Sequence, residues 1–253
     1  MQLQVLNPFC TPCPAKMPDG FLPERYRIAE APPEADRVNR LYPGLYEDDQ
    51  YGFIDAPCKA GALTAFAHSP GLTRHVSDYF RSNPIFENWR HLMPEPTPAA
   101  LERYQETYNV LNLSNVDTLI KQYGAIPPEG QVLFHGGQFA DLPWQYTSQR
   151  PLATSFCPGA AIANGWHLGK AFEAGYIDLV MLTVTQPKSR AYFFSHEDNE
   201  EGFSRKGHER EVLFETGAEI TISERILIRE DFPVSMGWQS KIVPSYLLIA
   251  TIS

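Results

Sequence analysis

Four cysteines in 253 residues are too few to staple a chain of this length, so Cys10, Cys13, Cys58 and Cys157 are expected as reduced thiols. Cys10-Thr11-Pro12-Cys13 has the spacing of half a zinc site or of a redox motif, but no second Cys-x-x-Cys follows, and no metal is expected. Positive charge is scarce as well. Twenty-one Lys and Arg against 30 Asp and Glu leave a net charge of −9, which argues against a broad phosphate-binding surface and so against a nucleic-acid partner. A protein or small-molecule partner is the alternative. No stretch approaches the roughly 18 uninterrupted apolar residues that a membrane helix needs, so no membrane association is expected. Met1 to Asn7 has no basic region leading into an apolar run; the expectation is a chain that stays in the cytosol or leaves by a route needing no cleaved signal. There is no internal repeat, which excludes a solenoid.

What is present divides in two. Hydrophobic residues make up 43% of the chain, enough for one good core or two small ones. Residues 1 to about 60 carry turn signals at Pro18-Asp19-Gly20, Pro32-Pro33 and Pro43-Gly44 and little regular period, which reads as an irregular segment draped on a core. Helix signals begin near Ala62. They cover Gly71 to Arg81, then a helix with Thr97 as cap and Pro98 at its first position, whose Leu101, Tyr104, Tyr108 and Leu111 make one apolar face. A further helix is expected from Asn115 to Tyr123, stopped by Gly124. Pro127-Pro128-Glu129-Gly130 marks a junction, and short strands follow it: Gln131 to Gly137, Pro151 to Phe156, Asp178 to Val184, Ser189 to Phe194, Glu211 to Phe214, and a tail at Ile242 to Ile252. One helix, Ala160 to Gly169, interrupts them. The expectation is an α+β protein with a helical and irregular region over 1–126 and a β-rich region over 127–253.

The chemistry-bearing residues lie in the second region. If Glu211 opens a strand, the period of two turns Glu209 and Glu211 to the same side, and two carboxylates share one small cleft. Such a pair suits the breaking of a cationic glycosidic bond: one carboxylate steadies the oxocarbenium ion while the other orients or deprotonates the nucleophile. Upstream, a strand ends in His135-Gly136-Gly137, where glycine lets a flat ligand lie against bare backbone. Between the two comes Thr154-Ser155 on another short strand. Each signal has an ordinary reading as strand-end His, turn Gly, β-forming Thr or solvated charge, so the ordered set carries the weight.

That order, His-Gly, then Thr-Ser, then Glu-x-Glu, resembles the mono-ADP-ribosyltransferases, specifically the toxin branch defined by Arg, Ser-Thr-Ser and Glu-x-Glu. The resemblance covers Gln131 to Ile222 and departs in two places: His135 stands at the arginine position, and Ala153 at the first serine. His-Gly there looks more like the poly-ADP-ribose polymerase and diphtheria-toxin branch, but that branch pairs two tyrosines where this chain has Tyr146 and Phe156. The resemblance implies an ADP-ribosyltransferase-like split β-sandwich with NAD as co-substrate. It also implies roles. Glu211 holds the 2′-hydroxyl of the nicotinamide ribose, Ser155 and Thr154 keep Glu211 in place, His135 contacts a ribose hydroxyl or phosphate, the backbone of Gly136 reads the carboxamide, and Phe156 or Phe194 stacks on the nicotinamide.

Glu209 bears on the acceptor, which stays open between arginine and a hydroxyl. The loop Ser195 to His208, acidic at Glu197 to Glu201 and basic at Arg205-Lys206, occupies the place of the family's target-recognising loop. The His135 exchange and the helical front half also resemble the bacterial effector transferases that modify a threonine of ubiquitin. This implies a monomer delivered into a host cell, with the front half docking the target. Three readings stand at this level: transfer to a protein side chain, hydrolysis of NAD with water as acceptor, and an inactive fold that binds a partner.

Overall fold

The computed structural model describes residues 3–16, 51–67, 69–81, 83–107, 113–139, 142–195 and 206–253. The turn signals between 17 and 50, the apolar positions Tyr108 and Leu111, and loop residues 196–205, with the acidic run Glu197 to Glu201, lie outside them.

The described residues of the front half carry regular elements. After a 3-10 turn at Pro8–Cys10, β1 (Cys13–Lys16) pairs antiparallel with β2 (Tyr51–Ile54). Helix α1 (Pro57–Phe66) is buried along Ala60 to Ala65, with no apolar stripe for a periodicity argument to find. Its small residues allow close approach: a side chain on Gly61 would meet Leu247 at 3.0 Å and Phe134 at 3.3 Å. Helix α2 (Pro70–Arg81) has the expected stripe, with Leu72, Val76 and Phe80 buried at spacings of four. Asn83 caps α3 (Pro84–Arg90) by accepting from the Ile85 amide at 2.8 Å. Helix α4 (Ala99–Thr107) starts one residue later than expected, because the Pro98 carbonyl accepts from Leu101 and Glu102 and so sits outside the first turn. Helix α5 (Leu113–Tyr123) ends at Gly124 as expected.

The second half adds β3 (Val132–Gly137), β4 (Gln145–Thr147), β5 (Leu152–Ser155), α6 (Pro158–Trp166), α7 (Lys170–Ala174), β6 (Ile177–Val184), β7 (Ala191–Phe193), β8 (Glu211–Phe214), β9 (Glu219–Met236) and β10 (Gln239–Ile252). The eight strands β3 to β10 form one sheet in the order β4-β9-β10-β6-β3-β5-β8-β7. β10 runs parallel to β6, and the other neighbours pair antiparallel. The fold is α+β, and the sheet is split. β3 and β5 share a single residue pair, Phe134↔Ser155, so the arm β4-β9-β10-β6-β3 and the arm β5-β8-β7 touch at one point and diverge beyond it. The opening between them is where the site forms.

One hydrophobic cluster runs through both halves of the chain, from Leu6 and Trp89 to Leu182 and Leu247. Phe156 lies deep within it, with its ring centroid 4.7 Å from Phe80 and 5.7 Å from Trp89. Phe194 is equally buried, edge-on to Tyr192 at 5.0 Å. Among the described residues no helix is long and apolar enough to cross a membrane.

Candidate active site

The split encloses a cleft of about 660 Å³, lined by β3, β5, the C-terminal turn of α4, and the segment entering β8. His135, Gly136, Thr154, Ser155, Glu209 and Glu211 all line it. Phe156 and Phe194 do not. Each follows the last residue of its strand and turns into the core, so stacking on a ligand in this cleft is left to other rings. Phe139 lines the cleft, as Tyr104 and Phe134 do; it stands edge-on to His135 at 5.3 Å and has its amide held at 2.6 Å by the buried carboxylate of Asp178.

The carboxylate pair forms by a route that strand alternation does not describe. Glu209 lies in a 3-10 turn, Gly207–Glu209, and Arg210 then adopts a left-handed conformation (φ 51°) before Glu211 opens β8. That reversal, fixed by Arg210 Nη1 donating to the Gly207 carbonyl at 2.6 Å, brings both carboxylates to the cleft. Ser155 and Thr154 act on the backbone around Glu211 rather than on its carboxyl. Ser155 Oγ donates to the Glu209 carbonyl at 2.5 Å, and Thr154 Oγ1 to the Val212 carbonyl at 2.8 Å.

Glu211 is only 6% exposed. Burial, and next the charge of Glu209, push its carboxyl up to about 8, while the neighbouring Gln105 side chain and the charge of Lys206 act against that rise. His135 sits where β3 leaves β5, its Nδ1 2.6 Å from the Ala153 carbonyl. A carbonyl only accepts, so Nδ1 carries the proton; burial holds the ring below its usual range and hence neutral at pH 7, leaving Nε2 an acceptor. Gly136 has a role the sequence does not announce. A side chain there would collide with the Ala161 carbonyl, so the glycine lets α6 pack against β3, rather than lying bare for a ligand alone.

Three cations of this acidic chain also line the cleft: Arg150 before β5, Lys170 at the start of α7, and Lys206 before the 3-10 turn. Lys206 Nζ lies 3.4 Å from Glu209 Oε1 and donates to the Gln105 carbonyl at 2.9 Å. Arg150 Nε donates to the Tyr104 hydroxyl at 3.0 Å, which donates onward to the Pro151 carbonyl at 2.8 Å. Burial, then the charges of Arg150 and Lys206, hold Lys170 below the usual ammonium range, so the three feel one another. An anion carrying two charges relieves that repulsion. The sequence reading missed this trio because its members are far apart in the chain and no motif links them.

The neighbours of this chain among solved structures are bacterial mono-ADP-ribosyltransferase toxins. It is similar to the ADP-ribosyltransferase Vis of Vibrio splendidus, solved in complex with agmatine, at 11% identity and TM-score 0.41, over 72% of this chain and 84% of that one. Exoenzyme S from Pseudomonas aeruginosa, solved with human 14-3-3 protein beta and carba-NAD, matches at 14% identity and TM-score 0.32, over 75% and 81%. C3stau2 from S. aureus, solved with NAD, matches at 13% identity and TM-score 0.34, over 75% and 89%. No protein-family model and no curated protein matches the chain. At these identities and TM-scores the likenesses say nothing of chemistry, which rests on the residues of the cleft.

Proposed function

We propose that this protein cleaves NAD and transfers ADP-ribose to a side chain of a protein target. The observation that carries the reading is a buried carboxyl, Glu211, paired with Glu209 in a cleft that also gathers Arg150, Lys170 and Lys206. A ligand for this cleft needs a cationic end for the carboxylates and a polyanionic middle for the cations. NAD has both, and its two phosphates fit the cation trio.

In this mechanism the bond between ribose C1′ and the nicotinamide nitrogen breaks, and the bonding pair leaves with nicotinamide, which becomes neutral. Glu211 accepts a hydrogen bond from the ribose 2′-hydroxyl and stabilises the oxocarbenium-like ribose. His135 Nε2 accepts from a second ribose hydroxyl, the open edge of β3 at Gly136 meets the carboxamide, and Phe139 packs on the nicotinamide ring. The acceptor lone pair attacks C1′, and its proton passes to Glu209. Glu211 is mostly protonated at pH 7 until a cation enters. Activity of the free enzyme toward NAD therefore climbs with pH toward about 8, as the acceptor form of Glu211 fills.

The acceptor we assign is a protein side chain, with ubiquitin threonine as the first candidate and delivery into a host cell as its setting. The front half, 1–126, contributes to target docking. The test is biotin-labelled NAD with host-cell lysate, and separately with purified ubiquitin, against wild type and Glu211→Gln. A labelled band that depends on Glu211 supports the transferase. Free nicotinamide and ADP-ribose without any band replaces it with a glycohydrolase, and no NAD loss from wild type sinks both in favour of a binding module.

A further inference from the structure

We propose that Asp178, on β6, is a positioning residue for the cleft: by holding the Phe139 amide it sets the Phe139 ring against His135, and so fixes the wall that a bound ligand meets. What this wall does for a ligand rests on the reading of the cleft as an NAD-cleaving site, but the positioning itself is independent of that chemistry.

Phe139 lies two residues beyond the last ladder pair of β3, Gly137↔Asp178, yet it is only 7% exposed. A buried amide there needs an acceptor. It finds one in Asp178 Oδ2 at 2.6 Å. Two further bonds finish the turn: Gln138 Nε2 donates to the Gly165 carbonyl of α6 at 2.8 Å, and the Phe139 carbonyl accepts from the Leu142 amide at 3.0 Å. The chain is thereby folded back over Gly137, where a side chain would meet the Phe139 ring at 2.9 Å and His135 Nε2 at 3.3 Å. Glycine leaves that space to the ring, which stands edge-on to the imidazole beside its acceptor nitrogen.

Asp178 is itself held from two strands away. It stands in one row with Gly137 on β3 and Tyr246 on β10. Arg225, on β9, crosses β10 with its guanidinium 3.5 Å over the Tyr246 ring, and donates to Asp178 Oδ1 from Nε at 3.2 Å and from Nη2 at 2.9 Å. One carboxylate oxygen thus serves Arg225 and the other serves Phe139, so the group cannot rotate without losing a bond on each side. Asp178 has no exposed surface. Burial raises this carboxyl, and the Phe139 amide and Arg225 work against that rise. Holding the strands together does not account for the arrangement. β10 already pairs with β9 and with β6 along its length, and apolar residues of the same volume would serve stability as well as a buried ion pair does. What the ladder does not reach is residue 139.

The test compares Asp178→Asn alone with Asp178→Asn combined with Arg225→Gln, in the full chain. In the single variant the one remaining oxygen stays with Arg225, which turns Nδ2, a donor, toward the Phe139 amide. In the pair, the glutamine amide reaches where the Arg225 Nε stood and accepts from Nδ2, so the asparagine oxygen returns to Phe139. Exchange of the Phe139 amide, followed in 15N-phenylalanine-labelled protein, is expected to quicken about tenfold or more in Asp178→Asn and to slow again in the pair. The His135 Cε1–H resonance, which feels the Phe139 ring current, moves and returns in step, with Phe139→Leu and His135→Gln assigning the two signals. KM for etheno-NAD rises about tenfold and recovers likewise, with kcat changing less. Unmoved signals in Asp178→Asn overturn the proposal, as does an unchanged KM. So does a pair no nearer to wild type than the single variant, which is what an ion pair serving stability alone gives. Should Asp178→Asn not fold, Asp178→Leu with Arg225→Met, which removes the acceptor and the stranded cation together, decides by the same signals: moved in support, unmoved against. Signals that move and return as expected, in a protein whose wild type cleaves no NAD, refute the reading of the cleft and leave the positioning role standing.

Discussion

Ser155 and Phe156 are adjacent, yet one enters the cleft and the other the aromatic cluster with Phe80 and Trp89. Burial has opposite signs on the two sides. Phe156, 2% exposed, stabilises the fold by leaving water. Glu211, 6% exposed, weakens it, because its charge is taken from water beside a second carboxylate. A core optimised for stability alone would not hold that carboxyl, and the proposed chemistry is what would account for the cost.

The contrast is broken most sharply at Glu211. Glu211→Gln is expected to lower NAD cleavage by about a hundredfold to a thousandfold, read as nicotinamide release. The same change should stabilise the protein in a pH-dependent way. The folded-state carboxyl is raised from 4.5 to about 8, so its ionisation cost is absent below about pH 4, grows as pH rises between these values, and is complete above the upper one. The variant should gain roughly 4 kcal/mol at pH 8 and nothing at pH 4 in denaturant melts. Equal stability at both values removes the claim that Glu211 is held at a cost.

Phe156→Ala is the opposite case. It should cost about 3–5 kcal/mol of stability, measured by urea unfolding, with KM for NAD unchanged in the protein that remains folded. A raised KM with little loss of stability would return Phe156 to the binding site. Lys170→Ala sharpens the cleft side: KM for NAD should rise about tenfold with kcat little changed, since the lost contact is to phosphate and is the same before and during bond breaking. Trp238→Ala, at the exposed tip between β9 and β10, should change stability by less than about 0.5 kcal/mol and leave NAD cleavage unaltered.

Much of this was legible in the residues. Six of the eight strands of the second half, the stop at Gly124, and the candidates His135, Ser155 and Glu211 come from apolar runs, turn residues and local order, whereas β4 and the long β9 were not read. α1 was not visible, because a helix buried on every side and built of small residues shows no stripe. The expected alternation of Glu209 and Glu211 does not hold either. A left-handed residue, Arg210, ends the 3-10 turn and resets direction, and no propensity argument predicts a positive φ at arginine. Phe156 and Phe194 were read as ligands' neighbours from their place beside motif residues, whereas one step along a chain that leaves its strand is enough to change faces. The three cations were hidden for another reason: only the packing of α7, the entry to β5 and the turn before β8 brings them together.

The most direct measurement is nicotinamide release from NAD by wild type and by Glu211→Gln, with host-cell lysate present and melting curves taken on the same samples. Release by wild type, with at least about a hundredfold less from a variant that melts no lower, is the predicted result. Equal release from both proteins, or none from well-folded wild type, contradicts the account.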